Sequence, residues 1–155
     1  MKISYYTDGS CRDNGKPNAI GAYGYIIVYE DGIVMKSFAM PDYNTTNQRC
    51  EMLGLLNACL DAQTTYSGFD EIEIISDSAY CINCYNQKWY NKWLTNGWMT
   101  SQKQPVANRD LWEQLIPFFE MANFTFTKTR GHSTDKYNNM VDELVQNMSE
   151  SARRN

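Results

Sequence analysis

The sequence predicts a single α/β domain in which a mixed five-stranded sheet is covered by helices. Three observations lead to this class. First, alternating apolar residues around an Asp-Gly turn indicate an antiparallel meander. Second, a later strand followed by a helix and another strand indicates parallel crossovers. Third, 43% hydrophobic residues in a chain of 155 residues suffice for one buried core. We therefore expect one domain over residues 1–155.

The first three strands are predicted to be antiparallel. Residues 2–8 alternate between apolar and polar, so that Asp8 closes the first strand. Residues 19–30 and 33–40 flank Asp31-Gly32, a dipeptide typical of tight hairpins. A three-stranded meander follows.

The next elements place two more acids. Thr45 or Thr46 is suited to cap a helix that runs to about Gln63 with apolar residues at helical spacing. Residues 71–76 form a short strand that ends at Asp77.

The second half of the chain continues the alternation, which implies parallel crossovers. The predicted elements are a helix from Ser78 to about Tyr85, one or two helical turns over 89–93 that stop at Asn96-Gly97, a loop over 101–108, a helix over 111–119 kinked or shortened by Pro117, a strand over 124–129 and a last helix with an apolar face over 137–148.

The charge distribution is more informative than the net charge. A formal charge of −4 and a pI near 4.9 disfavour a nucleic-acid partner at first sight. No Asp or Glu occurs from Ser78 to Arg109, however, and four basic residues fall in that window: Lys88, Lys92, Lys103 and Arg109. A positive working face is therefore compatible with the acidic total.

Cysteine usage and hydropathy bear on location. Five cysteines are an odd number, and the first residues resemble a strand more than an export signal, so we expect reduced thiols. No apolar stretch is long enough to span a membrane. We expect a cytoplasmic, monomeric protein with no membrane association.

Four carboxylates from separate elements are candidates for one site. Asp8 and Asp77 end predicted strands, where open α/β sheets place their ligands, whereas Glu51 and Asp142 are expected to point from helices towards the body of the protein. Three of the acids also have an ordinary structural explanation, and that for Glu51 is the weakest: Asp8 suits a turn, Asp77 a helix cap and Asp142 a surface position.

Together, such acids suit a hard divalent cation. Oxygen ligands without a His or Cys cluster favour Mg²⁺ or Mn²⁺ over zinc. Hydrolysis of a phosphodiester by two metal ions is a natural use of such a site.

At this point the motifs resemble type 1 ribonuclease H over essentially the whole chain. The matching segments are YTDGSC at 6–11, TTNQRCEM at 45–52, ISDSAYC at 75–81, RGH at 130–132 with Asp142 ten residues after the histidine, and 87–112, which is similar to the substrate-binding helix and protruding handle of bacterial and eukaryotic members. We call residues 87–112 the handle.

The resemblance implies an endonuclease that hydrolyses the RNA strand of RNA/DNA hybrids and leaves 5′-phosphate and 3′-hydroxyl ends. It implies two Mg²⁺ ions, with Mn²⁺ as a substitute. Asp8 would bridge both ions, Asp142 would join it on the nucleophile side, and Glu51 and Asp77 would complete the leaving-group side. His132 would assist proton transfer or product release.

The resemblance also implies a set of residues that bind the hybrid. Asn14, Asn47 and Gln48 would contact its minor groove, Thr46 and Asn108 would grip a phosphate of the DNA strand, Trp89 and Trp93 would line the groove against DNA sugars, and Lys103 would add positive charge. The two tryptophans, four residues apart, could instead form a buried aromatic pair.

This chain departs from the resemblance in two places. Ala79 stands where bacterial relatives often carry a longer polar side chain, and the handle has Leu94, Thr95, Met99 and Ala107 where relatives tend to have lysines. Fewer phosphate contacts predict weaker binding.

Two other classes of function compete. One is a hybrid-binding module without catalysis, which would not need all four acids. The other is a thiol oxidoreductase, suggested by the C-x-x-C pair Cys81 and Cys84, although the pair lies inside a predicted helix instead of opening it. Related nucleases and integrases also share the sheet and acid pattern.

Overall fold

The computed structural model describes residues 1–129 and 135–155. Its elements in chain order are β1 (Lys2–Cys11), β2 (Ile20–Tyr29), β3 (Val34–Tyr43), α1 (Asn47–Thr65), β4 (Glu71–Ser76), α2 (Ala79–Gln87), α3 (Tyr90–Asn96), α4 (Arg109–Phe119), β5 (Phe124–Lys128) and α5 (Lys136–Arg154). The number and type of these elements match the prediction.

The five strands form one mixed sheet in the order β3-β2-β1-β4-β5. β1 pairs antiparallel with β2, and β2 with β3, whereas β1 pairs parallel with β4, and β4 with β5. The α/β class with a three-stranded meander and parallel strands is thus confirmed.

The turn between β2 and β3 forms as the Asp-Gly pair predicts. Gly32 has a φ of +85°, and the Ile33 backbone N–H donates a hydrogen bond of 3.0 Å to Oδ1 of Asp31. A positive φ is easily reached only by glycine, so this dipeptide fixes the register of the hairpin.

The sheet buries a different set of side chains on each face. Ile3 and Tyr5 of β1 belong to the main core together with residues of α1, α2 and α4. On the opposite face, Ala22 and Ile26 of β2 pack with Val141 of α5. Alternation along the strands therefore places α1 and α5 on opposite sides of β1.

Several boundaries differ from the prediction. β1 runs to Cys11 instead of closing at Asp8, because its antiparallel pairing with β2 continues to Cys11 and Gly21. α3 begins at Tyr90, one residue later than predicted, and ends at Asn96, as the Asn96-Gly97 stop predicts. Pro117 lies inside α4, which continues to Phe119.

Within the described ranges, no helix is both long and apolar enough to cross a membrane.

Candidate active site

β1 and β4 bring two of the predicted acids together. The parallel ladder between them ends with the pair Tyr6 and Ile75, and the hydroxyl of Thr7 donates a hydrogen bond of 3.2 Å to the Ile75 carbonyl. Asp77 follows the last residue of β4 directly, whereas Asp8 lies within β1, two residues beyond that ladder. Both carboxylates thus stand where the parallel pairing stops.

Two glycines bring α1 close enough to add Glu51. A Cβ built on Gly9 would lie 2.2 Å from the carbonyl carbon of Cys50, and one built on Gly54 would lie 2.8 Å from the carbonyl oxygen of Asp8. No side chain fits at either contact, so the backbones of β1 and α1 approach directly. Sequence reasoning treated Gly54 only as a weak helix residue and missed this role, although a glycine inside a helix is a usable signal of close approach.

α5 supplies the fourth acid from the opposite face of the sheet. Val141 and Val145 are fully buried against β2, and Asp142 lies between them in sequence, with its carboxylate close enough to Asp8 to raise the pKa of Asp8. Asp142 as a residue is exposed, so it does not point fully into the body of the protein as the sequence suggested. It borders the apolar stripe and reaches Asp8 from the solvent side.

The environment of Asp8 opposes its negative charge. Asp8 is 8% exposed, and its Oδ2 is buried without a hydrogen-bond partner in the described part of the chain. Burial raises the pKa of Asp8 well above its usual range, and the nearby carboxylates of Asp77 and Asp142 raise it further. Burial and the neighbouring carboxylates therefore favour the protonated form of Asp8.

The pKa values of Glu51 and Asp77 shift in the same direction. Burial raises the pKa of the half-buried Glu51, a hydrogen bond from Ser78 partly opposes this, and Asp77 adds to the rise. Burial by surrounding atoms also raises the pKa of Asp77 although the residue is exposed at the rim, with Asp142 adding to the rise and Lys128 opposing it. The four acids act on one another as a set of like charges.

This arrangement fits a divalent cation in charge and donor type. An orphaned buried oxygen on Asp8, surrounded by repelling carboxylates, is the situation that bound Mg²⁺ or Mn²⁺ would relieve. In residues 1–129 and 135–155, no three acidic, His or Cys side chains converge as a finished metal shell. The side chains would need to close around an ion. His132 lies outside the described residues.

The predicted groove residues Asn14 and Asn47 interact with each other. The backbone N–H of Asn47 donates to Oδ1 of Asn14 at 2.9 Å, and Oδ1 of Asn47 accepts from the backbone N–H of Cys11. Gln48 lies near the Tyr80 hydroxyl and partly opposes the rise in the pKa of Tyr80 that burial causes. Asn47 and Glu51 are one helical turn apart on α1, so these amides lie next to the acids.

Thr46 and Asn108, the predicted phosphate contacts, are both joined to Arg49. The Thr46 hydroxyl caps α1 by accepting the Arg49 backbone N–H at 3.1 Å. The Arg49 guanidinium donates to Oδ1 of Asn108 at 3.1 Å and to both carboxylate oxygens of Asp110. Sequence reasoning missed Arg49, which connects the helix of Glu51 with the start of α4.

The two predicted groove tryptophans differ in environment. Trp93 is 8% exposed and packs against Trp98 and Trp112 at centroid distances of 5.7 and 5.6 Å. Trp89 is half-buried, and its indole N–H donates to Gln87 at 2.8 Å. Trp93 therefore has the buried packing role that was the alternative reading, whereas Trp89 keeps surface available for a ligand.

The acid-free window is partly neutralised by acids outside it. Lys88 lies 3.9 Å from Glu120, and Arg109 pairs with Glu113 at 2.9 Å. Lys92 and Lys103 are exposed and have no ion-pair partner among the residues that the structure describes. These two lysines provide the free positive charge of the handle.

The cysteines have the environment of structural thiols. All five are buried and free. Burial raises the pKa of both Cys81 and Cys84 to about 12, so neither is a reactive thiolate at neutral pH. This environment disfavours the oxidoreductase alternative.

Comparison with known proteins identifies the family. The model of the family described as RNase H matches residues 1–150. Similar curated relatives are a ribonuclease H of Clostridium botulinum, 42% identical over 144 residues that cover 93% of each chain, and one of Caldicellulosiruptor saccharolyticus, 39% identical over 154 residues that cover 98% of this chain and 99% of the other.

Solved structures agree with the fold. LC9-RNase H1, described as a type 1 RNase H with the type 2 active-site motif, superimposes with a TM-score of 0.78 at 20% identity over 97% of this chain and 72% of that chain. The RNase H domain of PFV gives a TM-score of 0.74 at 23% identity, covering 96% and 94% of the two chains. The chain belongs to the RNase H family and is a ribonuclease H enzyme.

Proposed function

We propose that this enzyme hydrolyses the RNA strand of RNA/DNA hybrids and leaves 5′-phosphate and 3′-hydroxyl ends. Family membership supports the reaction class. A part of a foamy viral protease-reverse transcriptase, 20% of that chain, has the same fold with a TM-score of 0.79, and that protein is described in complex with an RNA/DNA hybrid. The observation that carries the site assignment is the buried, unpartnered Oδ2 of Asp8 among three further acids.

We assign the acids as ligands of two Mg²⁺ ions, with Mn²⁺ as a substitute. Bound divalent ions would supply an activated water and stabilise the leaving oxygen. Asp8, at the centre of the group, would contribute to both sites, Asp142 would join it on the nucleophile side, and Glu51 and Asp77 would act on the leaving-group side. His132 is assigned to proton transfer or product release.

Recognition of the RNA strand is assigned to α1 and the loop before β2. Asn14, Asn47 and Gln48 present amides beside Glu51, which is placed to accept a hydrogen bond from a 2′-hydroxyl. The 2′-hydroxyl distinguishes RNA from DNA, so this contact would select the cleaved strand.

The DNA strand is assigned to the handle side. Thr46 and Asn108, joined through Arg49, would bind one phosphate, and Trp89 and Lys103 would extend the contact. We further propose a single catalytic domain that acts as a monomer in the cytoplasm.

The decisive experiment offers the protein one sequence as an RNA/DNA, an RNA/RNA and a DNA/DNA duplex, each labelled on one strand. Cleavage of only the hybrid's RNA strand, dependent on Mg²⁺ and abolished by EDTA, is expected. Hybrid binding without cleavage would favour a binding module, and cleavage of all three duplexes would favour a less selective nuclease.

A further inference from the structure

α5 carries a polar stripe that follows the end of β1. Its members at helical spacing are Asp142, Gln146, Ser149 and Arg153. The Asp142 carboxylate lies near that of Asp8 and raises its pKa, the Gln146 amide lies 3.4 Å from the Ser10 hydroxyl, and Ser149 is buried. The helix thus contacts successive positions of β1 from the acid site towards the loop that follows.

Arg153 extends this stripe to the β1–β2 loop, residues 12–19. Its guanidinium forms an ion pair with Asp13, and Nη2 donates a hydrogen bond of 2.7 Å to the carbonyl of Ile20, the first residue of β2. One side chain therefore holds both ends of the loop.

The environment of Arg153 distinguishes it from its neighbour. The Arg153 side chain is 17% exposed, whereas that of Arg154 is 77% exposed and reaches Glu150 at 3.7 Å on the same helix. The pairing is also visible on the partner, since hydrogen bonding by Arg153 lowers the pKa of Asp13. A planar guanidinium that binds a carboxylate and a carbonyl fixes orientation better than an isolated surface ion pair.

The loop that Arg153 holds presents Asn14, the residue after Asp13. Asn14 bonds to the first residue of α1, Asn47, one helical turn before Glu51. The loop is thus held from one side by α1 and from the other by α5. Because α5 also carries Asp142, the same helix fixes both an acid and the loop beside it.

We propose that Arg153 is a positioning residue. It fixes the β1–β2 loop so that Asn14 lies where it can bind the RNA strand next to the acids. The inference rests on the proposed function for the role of Asn14. Arg153 acts through Asp13 and Ile20 and touches neither substrate nor metal. Its loss should weaken substrate binding more than the chemical step.

The test compares steady-state kinetics on a labelled RNA/DNA hybrid with Mg²⁺ for Arg153→Ala, Asp13→Asn and the matched control Arg154→Ala. The first two should raise KM about three- to tenfold, the loss expected for one weakened hydrogen-bonded contact, with kcat within about twofold of wild type. The control should behave as wild type, and Arg153→Lys should be intermediate.

A double variant identifies the route of the effect. If Arg153 acts through Asn14, then Asn14→Ala combined with Arg153→Ala should raise KM no further than Asn14→Ala alone. The inference would be overturned if the effects of the two substitutions on KM multiplied, or if Arg153→Ala left KM unchanged. It would also be overturned if kcat and the melting temperature fell equally in both Arg153→Ala and Asp13→Asn.

Amide hydrogen exchange separates this inference from the proposed function. Residues 12–19 should exchange faster in Arg153→Ala than in Arg154→Ala, whether or not a substrate is cleaved. Unchanged exchange would overturn the positioning role by itself. Failure of the wild-type protein to cleave the hybrid, together with faster loop exchange in Arg153→Ala, would instead contradict the proposed function.

Discussion

The carbonyl oxygen of Asp8 in β1 lies directly against Gly54 of α1. A Cβ added at Gly54 would stand 2.8 Å from that oxygen and 3.4 Å from the Gly24 carbonyl oxygen. Both neighbours are backbone atoms of central strands, which cannot move aside as a flexible side chain can. The position of β1 against the helix of Glu51 therefore depends on the absence of a side chain at Gly54.

Gly54→Ala should destabilise the protein and reduce hybrid cleavage. Alanine favours a helix by about 1 kcal/mol over glycine, but overpacking against backbone costs about 1–3 kcal/mol and separates β1 from α1. Melting temperature and kcat on one hybrid measure both effects. Gly68→Ala is the control, since a Cβ there meets nothing within 4 Å. A Gly54→Ala variant with wild-type activity and higher stability would contradict this packing role.

Much of the fold could be predicted because its signals are local. The Asp31-Gly32 turn, the Thr46 cap and the strand over residues 71–76 depend on a few adjacent residues, and the structure reproduces them. The candidate acid and amide residues of the site could be predicted from recognisable motifs. Such features need no knowledge of distant partners.

The remaining features depend on contacts between distant segments. The alternation of residues 2–8 predicts that β1 ends at Asp8, but pairing with β2 keeps the strand extended to Cys11. The burial of Trp93 depends on Trp112, and the role of Arg153 depends on Asp13. Sequence spacing carries little information about such pairings.

The two handle tryptophans should respond differently to substitution. Trp93→Ala should lower the free energy of unfolding by about 3–5 kcal/mol, because it empties a buried aromatic site. Trp89→Ala should leave stability nearly unchanged and raise the hybrid concentration for half-maximal rate. Urea unfolding and steady-state kinetics on both variants give the comparison. Equal loss of stability in the two would show that Trp89 is also a core residue.

Lys103→Ala should weaken hybrid binding and its dependence on salt. Lys103 is exposed without a described ion-pair partner, so its loss removes about one phosphate contact and lowers the slope of log affinity against log salt by about 1. Gel-shift titrations in Ca²⁺ at several salt concentrations measure the slope. Lys2→Ala is the matched control, because the Lys2 ammonium already lies 3.8 Å from a Glu73 carboxylate oxygen. An unchanged slope would remove Lys103 from the binding surface.

His132→Ala should slow turnover but leave measurable cleavage, because the proposed metal ligands remain. Product-release and single-turnover rates, measured separately, would show which step the histidine assists. Complete loss of cleavage in a variant with a normal circular dichroism spectrum would give His132 a more central role.

Asp77→Asn should abolish cleavage of the RNA strand while hybrid binding is kept or slightly improved. Asparagine keeps the size of aspartate and one oxygen but lacks the charge that a divalent ion requires. Removing a negative charge beside the proposed position of the scissile phosphate should also relieve repulsion of the substrate. Binding and rate should therefore separate.

The same substitution should raise thermal stability at neutral pH without metal. Asp77 contributes to the raised pKa of Asp8. When the folded-state pKa of a carboxyl group is raised, the protein loses stability as the pH rises above the pKa of that group in the unfolded state. Removing the neighbouring charge reduces that loss. Asp31→Asn, at the hairpin turn, is the matched control and should leave binding and cleavage unchanged. Near wild-type cleavage by Asp77→Asn would refute the metal assignment, and joint loss of binding, cleavage and stability would make Asp77 a structural residue.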